Sequence, residues 1–95
     1  MPRFHLHIRT PAGLIKDEEG TDLPDHAAAI VEAVRGARGL MKGEVTDGTL
    51  CLDQSIEIHD GSGQHVRTVS FSEALRIVHD GAQTRAIRVA DSTPL

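Results

Sequence analysis

The sequence predicts an α+β fold in the order ββαββα, an antiparallel sheet with one long helix packed across one face. Three observations lead there. Phe4, Leu6 and Ile8 alternate with His5, His7 and Arg9, the period of two that marks a half-buried strand. Ala27, Ile30, Val34, Ala37 and Met41 recur at the three-and-four spacing of a helix face. Asp60-Gly61-Ser62-Gly63 stands between two strand-like runs, and Gly and Asp supply the positive φ angles that a hairpin turn needs.

The elements follow in order. The first strand carries the alternation from Phe4, and Thr10-Pro11-Ala12-Gly13 turns it so that Leu14-Ile15-Lys16 returns as a second strand. The acidic segment Asp17 to Asp25 then ends in Leu23-Pro24-Asp25. Pro is tolerated in a first helical turn, Asp caps helices well, and carboxylates complement the positive end of the dipole. A long helix is therefore expected from about residue 25 to 41. Gly36, Gly39 and Gly43 weaken its end, each by up to about 1 kcal/mol relative to Ala. Residues 42 to 54 read as a short strand or ordered loop. Ser55 to His59 and Gln64 to Val69 form the second hairpin, and Ser70 with Glu73 has the spacing of a capping box. That box opens a short helix through Ala74, Leu75, Ile77 and Val78, with Asp80-Gly81 as its stop. Residues 1 to 80 form one domain in this reading, and 81 to 95 a mobile tail.

Composition narrows the function. A chain of 95 residues with a net charge of −4 lacks the basic face of a non-specific polyanion binder, and Phe4 and Phe71, its only aromatic rings apart from histidine, are too few for base stacking. No nucleic-acid or membrane partner is expected, since no run reaches the length of a membrane span. Met1 to His7 alternates apolar and polar, unlike a signal peptide, and the lone Cys51 has no internal disulfide partner. The expectation is a soluble cytoplasmic protein. Eight Arg against two Lys, with no Asn, suit a GC-rich bacterial genome.

Met1-Pro2-Arg3-Phe4 with His7, followed by Asp17-Glu18-Glu19-Gly20-x-x-Leu23-Pro24-Asp25 and an Ala-rich helix, resembles a family of short uncharacterised bacterial proteins found mainly in alphaproteobacteria. The likeness spans roughly residues 1 to 76. It implies a small α+β domain and carries no catalytic or binding residue with it.

Two functional candidates come from the residues themselves. If Phe4, Leu6, Ile8, Ile56 and Ile58 face the helix, then His5, His7, Glu57 and His59 project from the opposite face. Nitrogen ligands with one carboxylate suit zinc or nickel, although the same residues would also suit an ordinary solvated face. The sequence leaves open whether the two strands are neighbours. Asp17, Glu19, Asp22 and Asp25 offer oxygen ligands to calcium, but Gly20 comes too early for an EF-hand loop. No nucleophile elbow, P-loop or paired-cysteine motif occurs in the chain, and nothing near Cys51 in sequence marks it as a nucleophile. A non-catalytic interaction or regulatory module is the leading expectation. Ala27, Ala28, Ala29, Ala33, Gly36 and Ala37 are small enough to let a second copy approach, which would make a homodimer, or equally to pack tightly on the chain's own sheet.

Overall fold

The computed structural model describes residues 1–78. Strands β1 (Arg3–Thr10), β2 (Gly13–Ile15) and β3 (Thr21–Asp22) precede helix α1 (His26–Thr46), and strands β4 (Ser55–Asp60) and β5 (His65–Ser70) precede helix α2 (Phe71–Ala74). The fold is α+β, with an antiparallel sheet of order β2-β1-β4-β5 in which β3 also pairs with β1. β1 and β4 therefore lie side by side at the centre, joining the two hairpins across the connection through α1.

The two-residue β3 was not foreseen, because Thr21 and Asp22 are too short a run to show any period. It lies on the same edge of β1 as β2. Ile8 pairs with Ile15 while Phe4 pairs with Thr21, so four steps along β1 face six along its partner. The segment from Lys16 to Gly20 absorbs the excess. Gly20 makes this possible: its φ is +76°, and a Cβ there would stand 2.9 Å from the Phe4 carbonyl oxygen. Only glycine meets both conditions without strain.

Asp25 caps α1, its side chain accepting from the Ala28 amide at 2.8 Å. The helix runs to Thr46, beyond the expected end near Met41, and passes through Gly39 and Gly43 without a break. Tertiary packing and its own hydrogen bonds outweigh the low propensity of glycine. The buried face is Ala29, Ala33, Ala37 and Met41, flanked by Ile30 and Val34, while Ala27 is exposed. That centres the face on the i, i+4 row of alanines rather than on the row beginning at Ala27.

Ala29, Ala33 and Ala37 have no exposed surface, nor do Ile58, Val69 and Phe71. The small side chains bring α1 close to the sheet, where Phe4, Ile56, Ile58 and Val69 meet them and α2 adds Phe71 and Ala74. Burying each of the two phenylalanines contributes about 1.5–3 kcal/mol.

Of the short strand or ordered loop expected for residues 42 to 54, the structure has the loop, over residues 47–54, while 42–46 belong to α1. Glu44 holds it, accepting from the Cys51 amide at 3.1 Å and from the Gln54 side chain at 2.8 Å. The capping box of α2 is formed, Ser70 accepting from the Glu73 amide while Glu73 accepts from the Ser70 amide. The helix stops at Ala74, shorter than expected, because Leu75 turns to extended geometry. The Asp80-Gly81 stop and the tail from 81 to 95 lie outside the described residues. No helix among the described residues is long and apolar enough to cross a membrane.

Candidate functional site

Strand alternation divides the sheet into two chemically distinct faces. Phe4, Ile56 and Ile58 enter the core beneath α1, with Leu6 and Ile8 packed against it. His5, His7, Arg9, Glu57 and His59 consequently project from the other face. The register pairs His5 with His59 and His7 with Glu57, so the adjacency that the sequence left open exists.

β5 extends this face. Thr68 stands opposite Glu57, and a register shift between Ile58 and His59 sets His65 opposite His59. A bulge of this kind re-aims side chains locally, and here it leaves Val66 packed against the core. The result is a row of four imidazoles across three strands. Ring centroids are 6.0 Å apart for His5 and His7, 4.9 Å for His7 and His59, and 5.5 Å for His59 and His65.

Each ring is held through a nitrogen. The acidic segment lies along the free edge of β1, and Asp17 fills the gap between β2 and β3. Its carboxylate accepts from the Leu6 amide at 3.1 Å and from the Gly20 amide at 3.1 Å. Two imidazoles hold its backbone: His5 Nδ1 meets the Asp17 carbonyl oxygen at 2.7 Å, and the Asp17 amide meets His7 Nδ1 at 2.9 Å. A carbonyl only accepts and an amide N–H only donates, so these contacts assign opposite tautomers. His5 carries its proton on Nδ1; neutral His7 carries its proton on Nε2.

His59 Nδ1 lies 3.2 Å from the Gly63 carbonyl oxygen and donates to it. Its Nε2 is buried without a hydrogen-bond partner among the described residues. The nearest carboxylate oxygen, Oε1 of Glu57, is 3.7 Å away, too long for a hydrogen bond to a neutral ring. His65 Nε2 lies 2.8 Å from the Thr68 hydroxyl.

Electrostatics follow from these contacts. Hydrogen bonding from Arg9 holds the Glu57 carboxyl below the usual carboxylate range against the opposing effect of burial. Burial would raise Asp17, but the Leu6 and Gly20 amides, together with His5 and His7, outweigh it and the carboxyl lies lower than usual. Burial, with His59 and then His5 nearby, moves His7 below the ordinary imidazole value, against the pull of Asp17 and Glu57.

All four residues proposed from sequence, His5, His7, Glu57 and His59, thus share one face. Among the described residues no group of three or more His, Cys, Asp and Glu side chains is arranged to hold a metal ion. The acidic segment spends its side chains locally: Asp17 on two amides, Asp22 on Arg3 and Asp25 on the helix cap. Cys51 is a free, half-buried thiol in the loop after α1. Of the small residues expected to admit a second copy, Ala29, Ala33 and Ala37 are covered by the chain's own core, while Ala27 and Gly36 are exposed.

Sequence reasoning missed Asp17 as the residue gripped by the two histidines, and His65 as the fourth ring. A signal for the first existed. Continuing the hairpin register from Ile8 and Ile15 places Asp17 opposite Leu6, between the two histidines. The second depends on the bulge, which no local pattern announces.

A family model described as a domain of unknown function (DUF6894) matches residues 3–72, a span running from the start of β1 into α2. Searches of curated proteins and of solved structures returned no match.

Proposed function

The chain belongs to the DUF6894 family, a domain of unknown function, and we infer that it acts as a non-catalytic protein-interaction module whose contact surface is the open face of the sheet. One observation carries this reading. The side chains of that face are partly or fully exposed yet already fixed: His5 and His7 by Asp17, Arg9 by Glu57, His59 by Gly63 and His65 by Thr68. Association costs about 0.5–1.5 kcal/mol for each mobile side chain it immobilises. A surface ordered beforehand avoids much of that cost. Imidazoles also suit a contact surface, with flat apolar bodies and polar rims that donate or accept.

A homodimer is one form of this reading. With Ala29, Ala33 and Ala37 consumed by the intramolecular core, a second copy would meet the open face and not the helix. Site-specific photo-crosslinking in living cells tests the assignment. A photoreactive residue replacing the exposed Thr68 on the open face should capture a protein, whether this chain or another, and one replacing Arg35 on the outward side of α1 should not. Capture from Arg35 with none from Thr68 would overturn it. Light scattering over micromolar concentrations then separates self-association from a different partner.

A further inference from the structure

We propose that His7 is a proton-operated latch that holds the Lys16–Gly20 segment against β1 when neutral and loosens it when protonated. The argument rests on the direction of one hydrogen bond. Of the four contacts that anchor Asp17, three survive a proton on either histidine. The Leu6 and Gly20 amides donate to its carboxylate, and His5 donates through Nδ1 to its carbonyl in the neutral and the charged ring alike. The fourth does not. The Asp17 amide donates to His7 Nδ1 at 2.9 Å, and an imidazolium carries protons on both nitrogens. Charging His7 sets two N–H groups against each other, and the Asp17 amide loses its acceptor.

The groups facing His7 act in both directions. On β1 these are His5 and Arg9, on β4 Glu57 and His59, and in the segment itself Asp17; His65 on β5 stands beyond His59. Glu57 and Asp17 favour the charged ring, but Glu57 is already engaged by Arg9. The neighbouring rings oppose a positive charge whenever they carry one. Burial acts the same way, and the balance keeps His7 neutral to lower pH than a free imidazole. Both carboxylates stay ionised over that range, since each lies below its ordinary value. The segment therefore responds to one ring. Loosening it uncovers the stretch of the β1 edge between β2 and β3, a row of backbone groups able to pair with another chain.

The latch does not depend on whether the open face binds a partner. Amide hydrogen exchange with the full chain, in EDTA so that no metal occupies the rings, tests it at about pH 7.5 and about pH 5. After correction for intrinsic exchange, protection of the Asp17 amide should fall about tenfold or more on acidification, with the Leu6 amide much less affected. His7→Asn places a carbonyl oxygen near the Nδ1 position and cannot titrate, so its Asp17 protection should not depend on pH. His7→Ala should leave that amide unprotected at both values. Nitrogen-15 shifts of wild-type His7, independent of any variant, should report the Nε2–H tautomer at the higher pH and the doubly protonated ring at the lower. Unchanged protection in wild type, the same loss in His7→Asn, or an Nδ1–H tautomer at neutral pH would each overturn the proposal.

Discussion

Asp25 has a role that its neighbours cannot take over. It adopts extended geometry before the first turn of α1 and accepts from the Ala28 amide, one of the donors that a helix start leaves without a partner. No acidic residue lies in the first turn itself, so this cap is the main favourable group at the positive end of the helix. Asp25→Ala should lower stability by about 1 kcal/mol, and Asp25→Ser should recover most of it. Urea unfolding checks this, with a shifted midpoint and an unchanged slope as the expected result. Asp17, a few residues earlier, is also a short acid in a turn, yet its carboxylate replaces a strand partner at the sheet edge. Sequence placed both in the acidic junction and distinguished only the cap, because capping is local and edge pairing is not.

At the level of the element, α1 joins a buried row of alanines to an outward side containing Gly39 and Gly43. A Cβ at either glycine would meet nothing within 4 Å. Neither adopts a left-handed backbone. Their cost is purely that of glycine in a helix, so Gly39→Ala and Gly43→Ala should each stabilise the protein by about 0.5–1 kcal/mol. Thermal unfolding of the single and double variants measures this; the two positions lie one helical turn apart, so the double variant also reads their coupling. The same glycines explain why the helix end was misjudged from sequence. Propensity speaks for termination near Met41, but the loop over residues 47–54 folds back onto Glu44 through Cys51 and Gln54, and that anchorage keeps the last turn formed.

The whole molecule responds to acid through several groups, three of them on or beside the open face. The unfolded chain takes up a proton on His7 near the ordinary value of about 6.5, whereas folded His7 does so at lower pH. Between the two the unfolded state binds more protons, so stability falls as pH drops through that value and levels off below the folded pKa. Asp17 and Glu57, depressed when folded, behave alike at lower pH: their contribution is complete above the ordinary carboxylate range and is lost as pH falls through their folded values. Urea midpoints across pH should therefore show two descending steps on acidification, the upper one absent from His7→Asn. Stability that rises from about pH 7 to about pH 5 would contradict this. By itself the sequence determined the α+β class, both hairpins, the cap of α1, the capping box of α2 and the division of His5, His7, Glu57 and His59 from the apolar side of their strands. Each of these is written in spacings of two to four residues, within which backbone geometry and short side chains act. Tertiary structure alone decided that β1 and β4 are neighbours, that β3 forms, that Ala29, Ala33 and Ala37 of α1 face their own sheet, and that Asp17 lies between two imidazoles. Those outcomes depend on contacts between residues far apart in the chain, which the competition among whole packings selects and no local period encodes.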